Sequence, residues 1–187
     1  EGNNTACAGI TVKAKEVAKA DLQVSVSVTD PEAEPGESIG SRISLVAMNN
    51  GPGKAEGYKI DLILSSDRRV PEGFASYSPN YREDVLIRGG RYNGPNLAAK
   101  ARARVSAGSA PLPADVPEGK YFVCARIDPG SSVDESNEGN NTACAGITVK
   151  AKEVAQADLQ VSVSVTDPES EPGESIGRRI SLVAMNN

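Results

Sequence analysis

Residues 1–50 recur at 138–187, an offset of 137 residues, and 47 of the 50 aligned positions are unchanged. The three differences are scattered: Lys19 becomes Gln156, Ala33 becomes Ser170 and Ser41 becomes Arg178. A duplicated tag would not carry them. Self-similarity at a fixed period is the mark of a tandem array, in which each repeat is a folding unit stacked on its neighbours. The repeat divides the chain into three stretches. Residues 1–20 read as the last strand of a preceding repeat plus a linker, 21–157 as a complete repeat with its linker, and 158–187 as the first two strands of the next. Both ends then fall inside folding units, as expected of a window on a longer polypeptide.

Within the complete repeat the apolar residues alternate. Leu22, Val24, Val26 and Val28 share one face while Gln23, Ser25 and Ser27 share the other, which is the period of a half-buried strand. The turn DPEAEPGE follows, then a strand through Ile43, Leu45 and Ala47 that ends at the turn cluster Asn49-Asn50-Gly51-Pro52-Gly53. Tyr58, Ile60, Leu62 and Leu64 mark a third strand. From Asp67 to Asn96 a Pro-, Gly-, Arg- and Tyr-rich excursion offers only Val85 to Ile87 as a short edge strand. Alternation of Leu97, Ala99, Ala101, Ala103 and Val105 with Lys100, Arg102 and Arg104 predicts a strand with its basic residues in solvent. KYFVCARID and NTACAGITV complete the unit. About seven strands without a helix predict an all-β fold, an immunoglobulin-like antiparallel β-sandwich in head-to-tail repeats of 137 residues. An odd strand number makes the chain enter at one pole and leave at the other. The linker KAKEVAQA, of eight residues, is short enough to limit bending.

Composition narrows the functions. The chain has no His, which removes the usual general base and the commonest zinc ligand. A formal charge of −5 leaves no basic field for nucleic acid, and no apolar stretch approaches the roughly 20 residues that span a bilayer. Carboxylates such as Asp61, Asp67, Asp84 and Asp115 are present, but no motif orients them, so the chain is expected not to be an enzyme.

Cys7 is the repeat equivalent of Cys144, so each full unit owns two cysteines, Cys124 and Cys144. Pairing the last two strands as a hairpin sets these two opposite each other and predicts a cross-strand disulfide, with Cys7 pairing outside the window. A disulfide in every unit implies an oxidising, extracellular setting, secreted or at a cell surface. The hairpin loop gathers Asp128, Asp134, Glu135, Asn137, Glu138 and Asn140 within 13 residues. Clustered hard oxygens make it a candidate calcium site, with a loop stiffened by Asx turns as the alternative. This loop is expected beside the incoming linker, where an ion or a hydrogen-bond network would stiffen the joint. Asn140-Asn141-Thr142 and its copy Asn3-Asn4-Thr5 are also Asn-x-Thr glycan acceptors, at Asn140 and Asn3.

The hairpin run through Val133, Glu135, Asn137, Glu138, Asn140 and Asn141 matches the V-x-E-x-N-E-x-N-N signature of the CARDB family, the cell-adhesion-related domain of bacteria and archaea. With LPADVPEGKY, ADLQVSVSV and NNGPGKAEGYKIDLILSSD, the whole unit resembles that family. The resemblance implies Ig-like sandwiches in tandem within secreted or surface proteins, with adhesive or spacer roles and no catalytic residues. The two-cysteine hairpin and the near-identity of the copies are not family features. Two functions follow as expectations. The first is a structural subunit of an extracellular filament, stalk or matrix fibre whose partners are copies of itself. The second is an adhesin whose excursion, through Tyr77, Tyr81, Tyr92 and its arginines, binds surface glycan or protein.

Overall fold

The computed structural model describes residues 7–152, 159–166, 168–175, 177 and 179–186. They form two compact units, Glu1–Ala151 and Lys152–Asn187. Among the described residues there are strands and two single-turn 3-10 helices, at Gly40–Arg42 and Glu138–Asn140, and no α-helix.

The first unit contains β1 (Leu22–Val28), β2 (Glu32–Ala33), β3 (Ile43–Asn49), β4 (Lys59–Ser65), β5 (Val85–Asn93), β6 (Arg102–Val105), β7 (Gly119–Ile127) and β8 (Thr142–Val149). One sheet has the order β1-β3-β6 and the other β2-β8-β7-β4-β5. All pairings are antiparallel except that of the two-residue β2 with β8. The alternation read in β1 and β3 turns Leu22, Val24, Ile43, Leu45 and Ala47 inward. From the other sheet they meet Ile60, Leu62 and Leu64 of β4, Val123, Ala125 and Ile127 of β7, and Ile147 and Val149 of β8, in one apolar cluster. Each sheet thus buries one face against the other, which is how two thin layers without Trp make a core.

Besides the two-residue β2, which forms inside the expected turn DPEAEPGE, three elements differ from the sequence reading. The expected strand from Leu97 to Val105 is only β6, because Lys100 adopts a φ of 60° and turns the chain after Leu97 has made an isolated bridge to Ala55. The edge strand expected at Val85–Ile87 runs on to Asn93 as β5. It does so across a bulge at which the register with β4 shifts between Asp61 and Ile63, and Gly89, at φ +70°, supplies the positive φ. The third is the excursion itself. It folds back over the outer face of the five-stranded sheet and makes a second apolar cluster from Ile63, Ala75, Leu86 and Cys124, with Val70, Phe122 and Cys144 beside it. That cover is why every residue of β4 after Lys59 is buried, on both faces.

The excursion is pinned by charge as well as by apolar contact. Asp61, fully buried on the outer face of β4, accepts two bonds of 2.7 Å from Arg91 and one of 2.9 Å from the Ala75 N–H. The same guanidinium donates to the Ala75 carbonyl and lies over the Phe74 ring.

The second unit is a hairpin of β9 (Leu159–Val165) and β10 (Ile180–Asn186). Leu159 pairs with Asn186 and Val165 with Ile180, the register that Leu22–Asn49 and Val28–Ile43 adopt in the first unit. The same sequence therefore makes the same hairpin twice. The apolar face differs in its cover: Leu22 is 0% exposed and its copy Leu159 is 72% exposed. Residues 7–12 repeat the sequence of β8, where it pairs with β7, but are not in a strand themselves.

Candidate functional site

The loops at the start of β1 build a clamp around the residues that precede it. On one side is the hairpin loop between β7 and β8. Asp128 is 3% exposed, with φ 47°, and its carboxylate accepts from the N–H groups of Ser132 at 3.0 Å and Val133 at 2.8 Å, closing the first turn. Val133 is thereby buried under the loop. Asn137 caps the following 3-10 turn by accepting from the Gly139 N–H at 3.0 Å. Glu138 accepts from the Glu135 N–H at 3.3 Å.

Glu135 is the centre of this loop. It is 5% exposed, and one carboxylate oxygen accepts from the Leu22 N–H while the other accepts from the Asn141 amide at 2.9 Å. Burial raises its carboxyl above the ordinary range; the bonds from Leu22 and Asn141 pull it back, and the charges of Glu138 and Asp128 raise it further.

On the other side is the turn after β3. Asn49, fully buried, accepts with Oδ1 from the N–H groups of Asp21 at 3.1 Å and Gly51 at 3.0 Å. Its Nδ2 donates to the carbonyls of Gly53 at 2.7 Å and Ala98 at 3.1 Å. One side chain thus ties three chain segments together, and it does so as the last residue of an ordinary strand before an ordinary turn.

Between these two loops runs the end of the linker. The Gly53 N–H donates to the Lys19 carbonyl at 2.8 Å, and Ser136 donates to the Ala20 carbonyl from its N–H at 2.8 Å and its hydroxyl at 3.2 Å. Lys19 Nζ reaches Asp134 at 2.7 Å, and Asn140 Nδ2 donates to Asp21 at 2.8 Å. Ala20 is 2% exposed. The groove admits backbone because two of its wall residues lack a side chain: a Cβ on Gly51 would lie 2.4 Å from the Ala20 carbonyl carbon, and one on Gly53 2.2 Å from the Ala18 oxygen. No side chain yields at those distances, because the obstacle is main chain.

The trailing end of the unit holds its chain too. The Lys150 N–H donates to the Ala33 carbonyl at 2.9 Å, and Lys150 Nζ pairs with Glu32 at 2.5 Å.

Cys124 and Cys144 face each other in register and are bonded, under the cover of the excursion, with Cys144 Sγ 3.9 Å from the Arg68 carbonyl. Cys7 is a free, exposed thiol. The six candidate calcium ligands lie in one loop, with the oxygens of Asp128, Glu135, Asn137 and Glu138 engaged by N–H donors and Asp134 by Lys19. Among the described residues no three His, Cys, Asp or Glu side chains stand close enough together to hold a metal ion. Of the glycan acceptors, Asn140 is half-buried with its amide on Asp21, and Asn3 lies outside the described residues. Of the three tyrosines expected at an adhesive surface, Tyr81 packs edge-on against Tyr121 at 5.3 Å and Tyr92 donates to the Ala107 carbonyl at 2.9 Å, while Tyr77 is exposed. Asp115 and Asp67 accept backbone N–H bonds from Tyr81 and Arg69. What the residue pattern did not reveal is the part played by Asn49, Gly51 and Gly53, whose only signal was the turn they share.

No curated protein matches the chain. Among solved structures, a CARDB domain from Pyrococcus furiosus, determined by crystallography in complex with di-metal ions, is 16% identical and aligns at a TM-score of 0.51 over 74% of this chain and 100% of that one. A domain of a suggested cell-surface protein from Methanosarcina acetivorans is 16% identical, with a TM-score of 0.47 over 71% and 93% of the two chains. At such identity the first of these speaks for the fold alone. The sequence model of the CARDB family covers residues 19–145, from inside the clamp to the strand that follows the acidic hairpin, and the chain belongs to that family.

Proposed function

We propose that these units are stiff spacers in a secreted or surface-exposed tandem-repeat protein, which builds an extracellular filament, stalk or matrix fibre. The observation that carries this reading is the clamp on the linker. A unit holds its incoming chain from Ala18 onward and its outgoing chain at Lys150. By the repeat, residues 13–20 correspond to 150–157, so the anchored positions leave four residues, Ala151 to Val154, between one hold and the next. A tether of four residues restricts bending far more than a free linker of the full length would. Near-identical units also present identical side surfaces at regular intervals, so a lateral contact between two chains made once is made along the length. The disulfide, with Cys124 buried and Cys144 partly buried, fits an oxidising, extracellular location.

The di-metal ions of the Pyrococcus domain bear on the calcium expectation. Here the hairpin loop is held by its own N–H groups on Asp128 and by the Leu22 N–H on Glu135, and calcium would compete with these donors and with Lys19 on Asp134. Electron microscopy of the native material tests the spacer reading. A continuous thread with an axial repeat of roughly 40 to 50 Å, one sandwich at about 3.3 Å per strand residue plus turns, supports it. Separate particles with no axial repeat refute it.

A further inference from the structure

The turn that forms one wall of the clamp contains a chemically labile bond. Asn-Gly occurs twice in the chain, at Asn50-Gly51 and Asn93-Gly94. Glycine has no Cβ to shield its own nitrogen, so that nitrogen can reach the side-chain carbonyl carbon of a preceding asparagine. The two pairs are held differently. Asn93 ends β5, its Oδ1 accepts from Lys59 Nζ, and the Gly94 N–H donates to the Tyr58 carbonyl at 2.9 Å. Asn50 is exposed, and its side-chain amide makes no hydrogen bond among the described residues.

What restrains Asn50-Gly51 is the main chain around it. The Asn50 N–H donates to the Asp21 carbonyl at 2.7 Å and the Gly51 N–H to Asn49 Oδ1 at 3.0 Å. Gly51 is buried against the linker, where a Cβ would meet the Ala20 carbonyl carbon at 2.4 Å and the Lys19 oxygen at 2.5 Å. Ring closure requires the Asn50-Gly51 peptide to rotate until the Gly51 nitrogen faces the Asn50 Cγ. With the linker in the groove the turn has no room for that rotation. Local opening of the clamp is the step that supplies it.

We propose that Asn50 is a deamidation site gated by the clamp, and that its conversion unseats the linker. With the groove open, the Gly51 nitrogen loses its proton to hydroxide and bonds to the Asn50 Cγ. The Cγ–Nδ2 bond breaks, and the leaving nitrogen takes protons from water and departs as ammonia, leaving a succinimide. Water then opens the ring at either carbonyl. One product is aspartate at position 50; the other is isoaspartate, which routes the main chain through Cγ and lengthens it by one carbon. Both add a negative charge at the residue bonded to Asp21, and isoaspartate also shifts Gly51, whose fit against Ala20 has no slack. The proposal rests on the geometry of the clamp and not on the spacer reading, since conversion is read by mass.

The test is peptide mass mapping of the full chain held at mildly alkaline pH. Folded native chain is compared with the same chain unfolded in urea and with Gly53→Ala. Asn50 in the folded native chain should convert at least about tenfold more slowly than in urea, in keeping with reaction through a minor open state. Gly53→Ala should convert at least about tenfold faster than the native chain, and Asn50→Gln should abolish the mass gain at this position. Converted native chain, separated by its added charge, should be cut by trypsin after Lys19 as fast as after Lys13. Should Gly53→Ala fail to fold, the comparison with urea and the cleavage of converted chain decide alone. The proposal is overturned if folded and unfolded chains convert at one rate, if a folded Gly53→Ala converts no faster than the native chain, if Asn93 converts before Asn50, or if converted chain is still cut more slowly after Lys19 than after Lys13.

Discussion

Gly53→Ala is the sharpest perturbation of the clamp, because its added Cβ would fall 2.2 Å from the Ala18 oxygen and 2.7 Å from the Lys19 carbonyl carbon. The groove cannot keep both, so the linker should leave. What it gives up can be counted from the structure. The Gly53-to-Lys19 and Ser136-to-Ala20 backbone bonds, both 2.8 Å, and the second bond from the Ser136 hydroxyl contribute about 1 kcal/mol each. The Lys19–Asp134 pair is exposed on both sides and adds little. A local opening cost of about 2–3 kcal/mol corresponds to roughly 30- to 160-fold protection of the linker end against proteolysis when opening is fast. Trypsin reads this directly. Lys13, Lys15 and Lys19 all have exposed side chains outside strand or helix, but the Lys19 carbonyl accepts from the Gly53 N–H and the next residue, Ala20, is buried. In the native chain, cleavage after Lys19 should trail cleavage after Lys13 and Lys15 by that factor, and in Gly53→Ala the lag should vanish while the sandwich stays folded. Equal cleavage at all three lysines in the native chain, or an unchanged lag in the variant, would refute the reasoning.

Four further outcomes are expected. Replacing Cys124 and Cys144 by Ser opens a loop of sequence separation 20 and should lower unfolding stability by about 3 kcal/mol, read as a lower urea midpoint with a slope equal to or steeper than the native one, since the unlinked denatured chain is less compact. Asp61→Asn leaves Arg91 without its carboxylate in a site closed on the Asp61 side and part-open on the Arg91 side; about 2 kcal/mol and a fall in Tm of roughly 6–10 °C should follow in calorimetry. Glu135 has its folded pKa raised above the ordinary 4.5, chiefly by burial, so its contribution to stability is full below the unfolded pKa and is lost as pH rises through the folded one. The native chain should therefore gain on Glu135→Gln in urea midpoint as pH falls from 7 toward 4.5, and a gap that stays constant or shrinks would contradict the assignment. Calcium at millimolar level should leave Tm within about 1 °C of its value in chelator, since the loop is already closed by its own N–H groups; a rise of several degrees would show that the cation displaces them.

Much of the sandwich was legible in the sequence because its strands bury one face only. Leu22 to Val28 and Ile43 to Ala47 alternate cleanly, and the copies at 159–165 and 180–186 adopt the same register without the cover of a second sheet. Alternation misled at Leu97 to Ala101, where the left-handed φ of Lys100 breaks the strand at a residue type that gives no warning of it. β5 was underread for the opposite reason: its bulge at Gly89 destroys the period while pairing continues on both sides. The disulfide could be read from the hairpin alone, since strand pairing sets Cys124 against Cys144. The acidic loop was legible as a cluster of oxygens, but the identity of their partners was not. Whether an Asp or Glu meets a cation or an N–H depends on the neighbouring loop, and for Glu135 that neighbour is Leu22, 113 residues away. Asn49 was hidden in the same way, because an Asn that caps a turn and an Asn that braces three segments look alike in sequence.

The central claim, that each unit holds the chain leading into it and so stiffens the joint, is tested most directly in a chain of two complete repeats. Spin labels on exposed strand positions of successive units would report the inter-unit distance distribution by pulsed electron resonance. A narrow distribution in the native chain that broadens markedly with Gly53→Ala in the second unit is the predicted result. A distribution already broad in the native chain, or one that Gly53→Ala leaves unchanged, would contradict the account.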